Sequence, residues 1–144
     1  MPPPARSVEA MTSISLRFFP ITADDIDAGI AFYRDGLGLE LRNNVAAGDF
    51  HWVTLGVPGT DVAVVLSEPG AGRSPDDAEA LHRLVAKGAI GPIVFETDDL
   101  DGVFARLTAL GADLVQEPTD QPWGPRDAAF RDPAGNLIRI NQAG

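Results

Sequence analysis

The order of elements along this chain occurs twice, and that repetition limits its possible folds more than any other feature. Asp24-Asp25-Ile26-Asp27 recurs as Asp98-Asp99-Leu100-Asp101, and Ala31 and Ala105 stand at the same offset. Self-similarity at a fixed spacing marks duplication, so both halves should fold alike. The first half opens with Ser13 to Ile21, a largely alternating apolar run that reads as a strand. Thr22-Ala23-Asp24-Asp25 then offers side-chain oxygens to cap a helix. In that helix Ile26, Ile30, Tyr33 and Leu37 recur at helical spacing, with Gly36 and Gly38 to end it. Three strand-like runs follow, Leu39 to Val45, Phe50 to Leu55 and Asp61 to Ser67, separated by turn-forming residues.

The second half repeats the sequence of events. Ala89 to Thr97 reads as a strand and Asp98 to Leu110 as a helix stopped by Gly111. Asp113 to Gln116, Asp127 to Arg131 and Asn136 to Asn141 read as three strands, the last two joined by the tight turn Asp132-Pro133-Ala134-Gly135. The expected fold is therefore α+β, with two tandem βαβββ modules over residues 13–68 and 89–144. Residues 69–88 form a linker with a short helix from Pro75 to Lys87, and residues 1–12, Pro-rich and without periodicity, read as a flexible arm. A helix on one side of each curved sheet leaves the other side free. Two such concave faces should border a cleft, and any ligand should bind there.

Composition removes several function classes. The chain has no cysteine, which excludes disulfides, thiolate zinc sites and a thiol nucleophile. Eleven Lys and Arg against 21 Asp and Glu give a net charge of −10, which repels nucleic acid and would favour a cationic small molecule. The apolar run Val62 to Leu66 is too short to span a bilayer, and Met1-Pro-Pro-Pro lacks the apolar core of a signal peptide. The expectation is a cytoplasmic protein with no membrane or nucleic-acid partner.

Particular residues add a family likeness. Asp24 to Asp27, Ala31-Phe32-Tyr33-Arg34-Asp35 and Leu37-Gly38-Leu39-Glu40 resemble the first-module signature of the vicinal oxygen chelate superfamily, which includes glyoxalases, bleomycin-resistance proteins and extradiol dioxygenases. Phe95 to Leu100, Leu110-Gly111-Ala112 and Phe130 to Asn136 resemble the second. Caps, turns and packing account for these residues, so they imply a fold and not a function. In the metal-dependent members, inward-facing His, Gln or Glu side chains hold a divalent ion. The resemblance puts Phe18, Pro92 and Arg139 at three of those positions. Phe and Pro have no donor atom to offer and Arg is a permanent cation, so no metal or other cofactor is expected. His51 and His82 are the only histidines, too few for a replacement site, and His51 reads better as part of a wall than as a ligand.

Without an ion the cleft is left with Phe18, Pro92, Val94, Trp123 and Leu137, with Glu96 and Arg139 as its polar members. Alternation puts Pro92, Val94 and Glu96 on one face and Leu137, Arg139 and Asn141 on one face, and the resemblance makes these the concave ones. In the third strand either Phe50, Trp52 and Thr54 or His51, Val53 and Leu55 face the cavity. Alternation cannot choose between them, and Trp52 is preferred. Trp123, in Gln121-Pro-Trp-Gly-Pro125, either stacks on an aromatic ligand at the cleft mouth or plugs its loop against the sheet.

The bleomycin-resistance branch is similar in being short, acidic, without protein metal ligands and dimeric. That likeness implies a binding protein that sequesters an aromatic antibiotic or natural product, for drug resistance or self-resistance, in clefts of a homodimer. The missing ligands weigh against an enzyme. The alternative is a glyoxalase-like lyase or isomerase acting without metal, with Glu96 as acid or base and Arg139 steadying an oxyanion, unless those two simply form an ion pair. Metal-dependent glyoxalase activity ranks last, since it needs the absent ion.

Overall fold

A computed structural model describes residues 13–144, so the arm expected at residues 1–12 lies outside the described residues. The first module runs β1 (Phe18–Thr22), α1 (Ile26–Ile30, continued by a π-helical turn Ala31–Gly36), β2 (Glu40–Ala47), β3 (Phe50–Gly56) and β4 (Ala63–Ser67). After a linker carrying α2 (Pro75–Ala86), the second runs β5 (Ile93–Thr97), α3 (Leu100–Ala109), β6 (Asp113–Asp120), β7 (Arg126–Arg131) and β8 (Leu137–Gln142). The two sheets have the same topology, β1-β4-β3-β2 and β5-β8-β7-β6. In each, the first strand pairs parallel to the last and the remaining neighbours are antiparallel. The fold is α+β, built from two βαβββ modules that each form a mixed four-stranded sheet.

Local chemistry sets the element ends. Asp25 and Asp99 occupy equivalent positions in the repeat and act alike, their carboxylates accepting from Ala28 N and Gly102 N at 3.0 Å. Ser74 caps α2 through Asp77 N at 3.2 Å, and Pro75 follows at the first helical position, where its missing N–H costs nothing. Two strands start later than their apolar runs suggest. The first begins at Phe18 rather than Ser13. The fifth begins at Ile93 rather than Ala89, because Gly91 has φ +114° and Pro92 has no N–H for a ladder. In contrast β6 continues to Asp120 by absorbing two register shifts.

The helix-facing sides of both sheets meet in one core. Ile21, Val53, Leu55 and Leu66 from the first sheet and Phe130, Ile138 and Ile140 from the second join Tyr33, Leu100 and Leu107 from the helices. Gly36 permits this close approach, since a Cβ there would collide with the Leu107 side chain, and Arg106 Nε donates to Gly36 O at 3.2 Å. The π-helical turn, in which Leu37 N reaches Phe32 O, buries the consecutive rings of Phe32 and Tyr33 edge to face with centroids 4.9 Å apart.

A second tie between the modules is polar. Asp132 Oδ1 accepts from the backbone N–H of Ala134, Gly135 and Asn136, which defines the β7–β8 turn. Its Oδ2 accepts from Tyr33 Oη at 2.6 Å and from Asn136 Nδ2, which also donates to Thr22 O at the end of β1. The turn residues of one module thereby hold the helix and first strand of the other. Because the helical layer lies between the sheets, the helix-free face of each sheet is turned outward.

Candidate ligand-binding site

Strand alternation, combined with burial, settles which residues lie on the helix-free faces. On the first sheet Val53 and Leu55 are in the core, so Phe50, Trp52 and Thr54 point the other way, to the face that Phe18 and Pro20 of β1 share across β4, with Pro20 level with Thr54 and Phe18 level with Gly56. Trp52 is paired in register with Val45 of β2. Phe18 is 54% exposed and Trp52 51%, high values for large apolar side chains on a sheet. The Phe50 ring lies against Gly70, where an added Cβ would sit 3.1 Å from it, so the start of the linker is folded onto the tip of β3.

His51 lies on the opposite side of β3 from Phe50 and Trp52 and is not brought together with them. Its backbone N–H donates to Glu68 Oε1 at 2.7 Å and its Nδ1 lies 3.0 Å from Glu68 Oε2. Partial burial pushes the Glu68 carboxyl up, but the backbone and ring bonds from His51 outweigh it and hold the group below the usual range. His51 thus clasps the end of β4 to the tip of β3.

On the second sheet Val94 and Glu96 of β5, Leu137, Arg139 and Asn141 of β8, and Asp127 and Ala129 of β7 share the helix-free face, with Pro92 just before β5. Val94 is 55% exposed. Trp123 is 70% exposed on a turn closed by bonds from Gln121 N to Pro125 O and from Gly124 N to Gln121 O.

The alternative ion pair between Glu96 and Arg139 is not formed. Arg139 NH1 instead donates to Asp127 Oδ2 at 3.0 Å. Glu96 and Asp127 each lie on a strand adjacent to Arg139, one register step away, so position alone does not select between them. Burial does. Asp127 is 2% exposed on a central strand and needs compensation, whereas Glu96 is exposed on the edge strand and stays hydrated. Asp127 Oδ1 accepts further from Gln121 Nε2 at 2.8 Å and Gln116 Nε2 at 3.0 Å. Burial raises the Asp127 carboxyl, but the two amides and the guanidinium prevail and lower it. Gln116, Gln121 and Asp127 are absent from the sequence-derived candidates: register shifts in β6 hide the face of Gln116, Gln121 lies in a turn, and only the alternation of Asp127 with Ala129 on β7 could have signalled the cluster.

These residues do not suit a divalent ion. Phe18 and Pro92 have no donors, and Arg139 brings a positive charge already held by Asp127. Among the described residues no three His, Asp or Glu side chains converge. A separate groove of about 650 Å³ lies behind the sheets, between α1, α2 and the Asp132 turn, and its rim pair His82 and Asp24 is bonded at 3.2 Å. It contains none of the candidate residues. No helix among the described residues is long and apolar enough to cross a membrane.

With this geometry established, the chain can be compared with known proteins. Residues 14–140 match the family model described as Glyoxalase/Bleomycin resistance protein/Dioxygenase superfamily. The uncharacterized protein YurT of Bacillus subtilis (strain 168) is 31% identical over 123 residues, covering 85% of this chain and 94% of that protein. The crystal structure of UcmS2 superposes with a TM-score of 0.80 at 30% identity, over 92% of this chain and 100% of that one. TnmS3, described as an antibiotic binding protein from Streptomyces sp. CB03234, gives a TM-score of 0.71 at 26% identity, over 93% and 99% of the two chains. The duplicated βαβββ architecture and the match over nearly the whole described length lead to one assignment: the chain belongs to the glyoxalase/bleomycin resistance protein/dioxygenase superfamily.

Proposed function

We propose that this protein binds an aromatic small molecule without metal and without altering it, sequestering an antibiotic or natural product in the cytoplasm for resistance or self-resistance. The carrying observation is the apolar surface of the helix-free faces, where Phe18, Trp52 and Val94 are each more than half exposed. Large apolar side chains exposed to this degree on sheet faces are a candidate interaction surface. Flat rings beside aliphatic side chains favour a planar ligand. The likeness to an antibiotic binding protein of Streptomyces supports the same reading.

The site is completed by a second copy of the chain. A face turned outward can close a cleft only against another molecule, and a twofold homodimer sets the first sheet of one copy against the second sheet of its partner, twice over. Phe18, Phe50 and Trp52 would then oppose Pro92, Val94, Leu137 and Arg139, with Trp123 at the rim.

Titration of intrinsic tryptophan fluorescence with a panel of aromatic antibiotics tests this, using protein pretreated with a chelator. Quenching by at least one planar compound, recovery of that compound unchanged after long incubation, and a dimer mass in sedimentation are the expected results. Turnover of the compound, or no quenching by any member of the panel, would overturn the proposal.

A further inference from the structure

The cluster around Asp127 specifies more than an apolar cleft requires. Arg139 has five N–H donors, and a single one, on NH1, has a partner among the described residues. Its side chain is 28% exposed on the helix-free face, between Val94 of β5 and Ala129 of β7. Asp127 fixes the guanidinium in place through NH1. The same carboxylate holds Gln121, the first residue of the turn that carries Trp123. One buried anion therefore positions both a planar cationic fork and the base of a loop bearing a flat aromatic ring.

We infer that the bound molecule is an aromatic compound carrying an anionic oxygen pair, a carboxylate or an ionised hydroxyquinone, with those oxygens on the free edge of Arg139 and the ring system beside Trp123. The inference rests on the ligand-binding reading above and adds the chemical class of the ligand. A guanidinium fork matches two adjacent oxygens in a way that no other side chain does. Asp127 does not compete for the free edge, because both its oxygens are engaged by Arg139, Gln116 and Gln121. The fork is held before the ligand arrives, which lowers the ordering cost of binding. The net charge of −10 opposes an anion at long range, but that field is screened beyond about 8 Å at physiological salt, and the guanidinium acts at contact.

The test uses two probes, anthraquinone-2-carboxylate and its uncharged methyl ester, titrated by tryptophan fluorescence into the full-length protein, Arg139→Gln, and the charge-neutral pair Asp127→Asn with Arg139→Gln. The double variant guards against a single change that leaves Asp127 buried without its partner. The wild type should bind the acid at least about tenfold more tightly than the ester, the ratio expected for a charge-assisted pair. Both variants should lose that preference, with the acid weakened at least about tenfold more than the ester. If acid and ester bind the wild type equally, the inference fails and the ligand-binding reading stands. If the variants lose both probes in equal measure, Arg139 is architectural and the inference is again overturned. Quenching by neither probe counts against both readings.

Discussion

Tyr33 donates its hydroxyl proton to Asp132 Oδ2 across 2.6 Å of fully buried space, joining residues that stand 99 positions apart in the chain. The acceptor belongs to the β7–β8 turn of one module and the donor to the helix of the other. A bond to a charged acceptor is worth about 1.5–3 kcal/mol, more than a neutral one. Tyr33→Phe should therefore destabilise the protein by about that amount, with Asp132 still bonded to Asn136 Nδ2 at 2.8 Å. Urea unfolding monitored by tryptophan fluorescence measures this, and a loss well under 1 kcal/mol would deny the bond its role in joining the modules.

The same bond makes stability fall in alkali. Burial first, then the charge and the hydrogen bond of Asp132, push the Tyr33 phenol well above its ordinary value. The folded state thus holds this proton more tightly than the unfolded state. Its stabilising effect is complete below the unfolded pKa of about 10 and is lost as pH climbs from there towards the folded value. Tyr33 is the sole tyrosine, so tyrosinate absorbance near 295 nm reports it alone. That absorbance should appear together with unfolding and not before it, and Tyr33→Phe should flatten the alkaline limb of stability. Titration of the folded protein at about pH 10 would contradict the buried bond.

Gly135 shows how tightly the linker helix is packed against that turn. Its φ is +114°, and an added Cβ would meet the Ala86 carbonyl oxygen at 2.8 Å and the Val85 carbonyl oxygen still closer. Backbone cannot swing aside as a side-chain tip can. Gly135→Ala should cost at least about 2 kcal/mol, from left-handed strain and the forced separation together. Gly59 makes a control, with φ +78° and nothing within 4 Å of its Cβ position, so Gly59→Ala should cost about 1 kcal/mol from strain alone. Equal melting temperatures for the two variants would show that α2 does not press on the turn.

Asp127 should govern the acid side. Its carboxyl is lowered in the folded state, so the stabilisation it provides is present above the unfolded pKa of about 3.9 and is lost as pH falls below that towards the folded value. Asp127→Asn removes the titration, leaving a smaller difference in unfolding free energy between pH 6 and pH 3. It also leaves the Arg139 cation without its counter-charge, so the variant should be less stable than wild type at pH 6. An unchanged acid limb in the variant would mean that other carboxylates carry the acid sensitivity.

What the sequence made legible was local or periodic. The Asp25 and Asp99 caps follow from a short polar side chain preceding a helical run, and the twofold βαβββ order follows from the repeated signals. That Phe50 and Trp52 share a face opposite His51 follows from strand geometry, but which face is free required knowing that Val53 and Leu55 fill the core. The non-local contacts were not legible. Nothing near Tyr33 in the chain announces Asp132, and Arg139 has carboxylates on both neighbouring strands until burial selects Asp127. The outward direction of the free faces is also tertiary, because it depends on both helices sharing one core.

The two tryptophans turn the candidate site into a measurement, because deleting either leaves one reporter. Trp123 sits on a turn and is 70% exposed, so in a single chain it supports almost no packing and Trp123→Ala should change stability by under about 0.5 kcal/mol. A ring that stacks on a ligand contributes about 0.5–1.5 kcal/mol beyond its buried area, so the same variant should bind an aromatic ligand about 2- to 12-fold more weakly. Trp52→Ala removes a ring from a sheet face, in register with Val45, and under the proposed function should weaken binding as well as dimer formation, because the proposal assigns both to that face. Fluorescence titration and sedimentation of the two variants separate these roles. Unchanged affinity in both would mean that the exposed rings of the helix-free faces do not contact the ligand.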